Sequence, residues 1–346
     1  MAGRRAVTIR DIAGHADVSA ATVSAALRSR GDDDSGVAPE TRERVLRAAE
    51  ELGYDFARLR AQPQRQTTVA VFCSGYNHPN NSTLYPLLME LSERLAHNGL
   101  RLLLESGHGA YADPVAAGEL FRRGEADAAI CVVTGDRWAD RMGDWGVPAV
   151  YVGSMDSEAE ICRVAVDDHL GGRLVGEHLW ALGHRGVGII HMHHTQWGQR
   201  RAEGMRSVWR GLGEDIPDAC IQTLTDLTEE EIAAAVRALL AGRAPKSRRV
   251  TALFCDADWV AAQVIREVRQ LGLGVPRDVS VVGFDDSHFA TALDPALTTV
   301  RQPFPEMSAL AVQLLLEQLS LGGQMRTSYT LPCELVVRGT TGRAGR

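Results

Sequence analysis

The sequence predicts an α/β protein in two parts. A small N-terminal head of three helices, arranged as a helix-turn-helix, precedes a large two-lobed body of parallel sheets. Three observations carry this. Residues 7–54 contain three short amphipathic segments separated by turn signals. Beyond residue 66, apolar strands alternate with amphipathic helices, the pattern of parallel α/β architecture. The chain has 346 residues, enough for a small domain and two lobes.

In the head, Thr8 can cap a first helix, with Asp11 at the third position to complete the cap. Ile9, Ile12 and Ala13 then share one face. A bend follows at Ala16-Asp17-Val18, where Asp17 tolerates a left-handed backbone better than most residues. Ser19 is a second N-cap, and Val23, Ala26 and Leu27 form the buried stripe of the middle helix. Pro39 and Glu40 suit the first turn of a third helix. Val45, Leu46, Ala49 and Leu52 line its inner side, and Gly53 ends it. The short side chains of the middle helix let it approach another surface closely, and the DNA major groove is the surface that fits.

In the body, strands are expected at 68–73, 100–105, 128–133, 149–152, 186–191, 252–255 and 279–284. Helices are expected at 85–98, 171–182, 199–212, 228–241 and 258–271. Near-continuous apolar runs such as VAVFC and VSVVGF fit sheets buried on both faces. So many strands imply two sheets, hence two lobes and a cleft between them.

Composition narrows the function. No apolar run reaches the ~18 residues that span a bilayer, and the start MAGRRAVTIRD has no apolar signal core. Six scattered cysteines without a C-x-x-C pair suit reduced thiols, and a cytoplasmic location is expected. The net charge of −7 argues at first against DNA binding. The first 65 residues, however, hold 11 arginines against 10 acids, a balance of +1, and three of those acids fall together at Asp32–Asp34. The head alone is mildly attractive to phosphate, so strong binding needs two heads.

The pieces T-I-x-D-I-A (8–13), V-S-x-x-T-V-S (18–24) and P-E-T-R-x-R-V (39–45) stand in order. Together they resemble the DNA-binding domain of the lactose-repressor (LacI) family of bacterial transcription regulators. The likeness continues through Val166-Asp167-Asp168, Leu182-Gly183-His184-Arg185, the run from Val275 to Asp286, and Leu297 to Pro303. It implies a DNA-binding domain at 1–60, a hinge linker at 61–68, and a periplasmic-binding-protein-like effector and dimerisation domain at 69–342. Lobe 1 is then about 69–165 and 296–327, and lobe 2 about 166–295 and 328–342, with crossovers near 165, 295 and 328.

The resemblance also assigns residues. The middle helix presents Ala20, Ala21 and Ala25 where the family reads base edges, and none of them can hydrogen-bond a base. Ser19, Thr22 and Ser24 match phosphate contacts, and Thr8 belongs to the same surface. Arg10 and Arg28 can reach a base or a phosphate, both readings standing equal. In the linker, Pro63 falls where a minor-groove leucine is expected, and Leu59 is the substitute wedge. In the cleft, Arg201, Asp258 and Asp285 match the arginine and two acids that grip a ligand, and Trp197 and Trp259 can stack on a sugar ring or simply pack. An arginine with carboxylates suits a polyhydroxylated, carbohydrate-like effector. Gly153 stands where another ligand acid is frequent, and Thr83 and Leu84 where aromatics are frequent. In the run His191-Met192-His193-His194, alternation puts His191 and His193 on one face, where a metal site is conceivable, but hydrogen bonding to an organic ligand is simpler, and no cofactor is expected.

The expected function is a DNA-binding transcriptional repressor working as a homodimer or tetramer on a pseudo-palindromic operator, without membrane association. A small effector between the lobes would control its affinity for DNA. A transport solute-binding protein explains the body but not the head. An enzyme is disfavoured because no Ser/His/Asp order, Walker loop or G-x-G-x-x-G occurs.

Overall fold

A computed structural model describes residues 7–28, 37–54, 66–73, 84–106, 113–132, 136–155, 158–192, 196–241 and 249–345. The chain divides into two compact units, Met1–Gln66 and Thr67–Arg346.

The first unit contains α1 (Ile9–Ala16), α2 (Ala20–Arg28) and α3 (Pro39–Glu51). The capping chemistry read from the sequence is present. Thr8 and Asp11 form a reciprocal capping box, and the Ser19 hydroxyl accepts the Thr22 N–H at 3.0 Å. Asp17 does adopt the left-handed conformation, φ 49°, that lets the chain turn between α1 and α2. Ile12, Val23, Ala26, Val45 and Ala49 close the core. From α3, Arg44 donates to the Ala16 carbonyl at 3.1 Å, and Glu51 meets His15 at 3.0 Å, so the third helix also ties down the end of the first.

The second unit begins with β1 (Thr68–Cys73), α4 (Leu84–His97), β2 (Arg101–Ser106), α5 (Pro114–Arg122), β3 (Ala128–Val132), α6 (Asp136–Met142), β4 (Ala149–Val152) and β5 (Arg163–Val166). It continues with α7 (Asp168–Ala181), β6 (Gly186–Met192), α8 (Gln196–Gly211), β7 (Ile221–Leu224), α9 (Glu229–Leu240), β8 (Val250–Cys255), α10 (Asp258–Gln270), β9 (Ser280–Val282) and α11 (His288–Ala292). It finishes with β10 (Thr299–Arg301), α12 (Phe304–Leu321), β11 (Ser328–Leu331) and β12 (Glu334–Val336). Asp167 explains why α7 starts earlier than the sequence suggested: its carboxylate caps the Leu170 N–H at 2.8 Å.

Two parallel sheets make two lobes. The first has strand order β11-β5-β4-β3-β1-β2, and the second β7-β6-β8-β9. Both faces of the first sheet are covered. Leu91, Leu95, Leu314 and Leu315 from α4 and α12 pack on one side, and Phe121 and Trp138 from α5 and α6 pack with Phe72 on the other. This is why β1 is buried along its whole length.

The chain passes between lobes three times: after β5, between β10 and α12, and between β11 and β12. β10 pairs with β12, and Thr298 bridges Val282 of the second sheet, whereas β11 pairs with β5 of the first. Strands of three or four residues carry too little alternation to be seen in sequence.

The contact that positions the cleft is the packing of α7 against α8. A Cβ at Gly172 would overlap the Arg201 carbonyl, and one at Gly204 would overlap the His169 carbonyl, so each helix backbone sits on a glycine of the other. Gly171 likewise leaves room for the Phe284 ring. Gly172→Ala is expected to lower the stability of the body by about 3 kcal/mol, the upper range for overpacking, because backbone must move. Urea unfolding followed by tryptophan fluorescence measures it.

Candidate functional site

In the head, Ser19, Ala20 and Ala21 are exposed, and Thr22, Ser24 and Ala25 are half-buried. The exposed surface of α2 therefore begins with two methyl groups flanked by hydroxyls. The Ser19 and Thr22 hydroxyls lie 2.8 Å apart and bond each other. The Thr8 hydroxyl donates to Asp11 at 2.6 Å, which commits it to the cap, so any contact it makes with another molecule is shared with that role. The side chains of Arg10 and Arg28, and residues Leu59 and Pro63, lie outside the described residues.

In the body, the site forms at the carboxyl ends of β6, β8 and β9, where ligands of parallel sheets are held. Arg201 on α8 is its centre and is almost wholly buried. Its Nε donates to Asp168 at 2.8 Å and its Nη1 to the Asp256 carbonyl at 2.5 Å. Nη1 also lies 4.0 Å from Asp285. The guanidinium carbon sits 3.5 Å from the Phe284 ring centre and 4.6 Å from that of Trp197, so two aromatic rings hold it. Trp197 thus meets the arginine that the sequence placed beside it.

Asp168 joins this centre to the first lobe. One carboxylate oxygen takes Arg201, and the other takes the Ser154 hydroxyl from the loop after β4. The neighbouring Arg200 reaches the Met155 carbonyl at 3.2 Å. Gly153 in that loop has φ 136°, a conformation that disfavours any side chain and explains why no acid stands there.

The two aspartates expected to grip a ligand differ. Asp285 faces Arg201, and its Oδ1 accepts Gln302 Nε2 at 2.7 Å across the second crossing. Asp258 is placed differently from the expectation. Its Oδ2 accepts the Ser287 N–H at 2.7 Å and hydroxyl at 3.0 Å, and its Oδ1 accepts the Thr299 hydroxyl at 2.5 Å. The carboxylate thereby ties both the loop after β9 and the start of β10 to the start of α10. Trp259 also departs from the stacking alternative, since it is 6% exposed and packs in the second lobe's apolar core.

Sequence reasoning missed Asp168, Ser154, Gln302 and Asp256. Asp256 is completely buried, with Oδ2 accepting the Met192 N–H at 2.8 Å. Burial pushes its carboxyl up to about 7, and Asp285 adds to this, while the Met192 N–H and Arg201 oppose it. Burial, then the nearby Asp285, raises Asp258 as well. The signal for Asp256 was the spacing in Cys255-Asp256-Ala257-Asp258, which puts one acid at a strand end and the next at a helix start. His191 is buried, with Nε2 3.3 Å from the Thr223 hydroxyl, and His193 and His194 lie outside the described residues. A crevice of about 350 Å³ adjoins the site, lined among others by Met89, Glu90, Asp286, Arg301 and Phe304.

Residues 8–55 match the family described as bacterial regulatory proteins, lacI family, and residues 177–341 match a periplasmic binding protein-like domain. The chain is 33% identical to the HTH-type transcriptional regulator MalR of Streptomyces coelicolor over 97% of each protein. It resembles the solved complex of the transcriptional regulator CelR with cellobiose, with a TM-score of 0.71 and 28% identity, over 96% of this chain and 99% of that one. It also resembles the lac repressor dimer bound to operator and an anti-inducer, with a TM-score of 0.69 and 25% identity, over 98% and 100% of the two chains.

Burial of the Asp256 carboxyl makes the stability of the body depend on pH. The folded chain holds a proton that the unfolded chain loses near pH 3.9. The stabilisation this confers is full below that pH and is lost as pH rises through about 7. The thermal midpoint of the body is expected to fall between pH 6 and pH 8, and to fall less in Asp256→Asn. Differential scanning calorimetry across that range checks it.

Proposed function

The chain belongs to the LacI family of bacterial regulatory proteins, and from that membership we propose a repressor whose hold on operator DNA is set by a carbohydrate bound between the lobes. It is a DNA-binding transcriptional regulator and not an enzyme. The observation that carries the effector reading is the buried Arg201 centre, which touches ligand-competent acids on one side and, through Asp168 and Ser154, the opposite lobe on the other. A sugar whose hydroxyls accept from Arg201 and donate to Asp285 changes the balance of bonds across that junction. An effector acts only through such differential contact with two lobe arrangements.

At the DNA end, hydroxyls at Ser19, Thr22 and Ser24 meet phosphate and position the head. Ala20, Ala21 and Ala25 offer methyl contact to thymine, so specificity falls to Arg10, Arg28, Leu59 and the shape of the DNA. Two heads are needed because one carries so little net charge. A homodimer supplies them, and Tyr85 and Met89, apolar side chains 65% and 43% exposed on α4, give such a dimer a surface to cover. The protein works in the cytoplasm, where its DNA is. In the described residues no helix is long and apolar enough to cross a membrane.

Selection of bound duplexes from a random pool by the purified full chain tests this. The expected product is a palindrome with thymine-rich positions under the alanine face, bound at least about tenfold more weakly when salt rises from 50 to 200 mM. Enrichment without two-fold symmetry would contradict the paired-head operator.

A further inference from the structure

The two aspartates of Phe254-Cys255-Asp256-Ala257-Asp258-Trp259 have opposite fates. Asp258 accepts three hydrogen bonds, two from Ser287 and one from Thr299. Asp256 is as deeply buried, yet its Oδ1 has no hydrogen-bond partner among the described residues. Buried polar atoms are seldom left so, because each gives up its hydrogen bonds to water without replacement. An orphan acceptor beside the ligand arginine is therefore an acceptor for something that arrives.

The surroundings show what kind of donor is missing. Around Asp256 are Arg201 from α8, which bonds its main-chain carbonyl, the Met192 N–H at the end of β6, Asp285 after β9, and its chain neighbour Cys255 from β8. Arg201 already bonds the main-chain carbonyl of this same residue, and His191 is turned to Thr223 and the Met192 carbonyl. Arg201 bonds Asp168 and lies 4.0 Å from Asp285, and among the described residues neither it nor any other donor reaches Asp256 Oδ1.

Building on the carbohydrate reading above, we propose that Asp256 Oδ1 accepts a hydroxyl of the effector while the neighbouring hydroxyl oxygen accepts from Arg201. Asp258 is then the anchor of the 285–287 loop and makes no ligand contact. A vicinal diol fits this pair of groups, one oxygen donating and the next accepting. The site rejects a sugar whose hydroxyl there is absent or methylated, since the buried acceptor is then left unpaired. The carboxylate form is the acceptor, so binding to the partly protonated residue releases a proton.

The test is calorimetric titration of the full-length protein with ribose, arabinose, maltose and cellobiose, in two buffers of different ionisation enthalpy at pH 6.5. It is run on the native chain and on Asp256→Asn, with melting temperatures for both and for Asp258→Asn. One of the sugars is expected to bind the native chain with proton release. Asp256→Asn should weaken that sugar at least about tenfold and abolish the proton release, with a melting temperature within a few degrees of native and above that of Asp258→Asn. Unchanged sugar affinity in Asp256→Asn would overturn this assignment alone. A melting temperature lowered as far as in Asp258→Asn would make Asp256 structural and overturn it too. A stable native chain that binds none of the four sugars would overturn the carbohydrate reading and this assignment with it.

Discussion

A guanidinium buried between two aromatic rings organises the body of this protein. A buried cation is tolerated only when paired and hydrogen-bonded, and the surroundings of Arg201 follow from that demand. Asp168 stands at the start of α7 to receive Nε, and the end of β8 turns its carbonyl to Nη1. The glycines at 171, 172 and 204 bring α7, α8 and Phe284 close enough for those bonds to form. The chain of cause runs from small residues to helix approach, from helix approach to the ion pair, and from the ion pair to the Ser154 bond across the lobes.

A second network holds the strands that cross between lobes. Asp286 takes Arg301 with one oxygen and Arg338 with the other, and Arg301 continues to Glu334. These residues flank the second and third crossings, so one acid fixes the spacing of two strands. Asp286 is nearly buried whereas Arg301 is half exposed, and exposed pairs contribute little to stability. The value of the network lies in registering the crossings.

Much of this was legible in the sequence. The helices of the head could be read from their caps, because Thr8 with Asp11, Ser19 and Pro39 each perform a local task that needs a particular side chain. The long apolar strands were equally plain. α5 and α6 were not anticipated, being short helices without a clear stripe, and β10 to β12 are too short for a period to show. Arg201 and Asp285 stand in recognisable motifs, but the hydrogen bonding of Asp256 and Asp258 could not be read from theirs. Which oxygen is already satisfied depends on Ser287, Thr299 and Met192, residues distant in the chain. Trp259 was ambiguous for a related reason: a tryptophan in the first turn of a helix can face a cleft or a core, and only the fold decides.

If Arg201 links the effector to the DNA-binding head, the coupling between the two is the decisive quantity. The measurement is operator affinity with and without a bound sugar, by fluorescence anisotropy, for the native chain and Arg201→Gln at saturating ligand for each. The native chain should show a shift of about tenfold, within the usual range for such coupling, and Arg201→Gln should show none. An equal shift in Arg201→Gln would mean that the signal bypasses the arginine centre and would contradict a coupling through it.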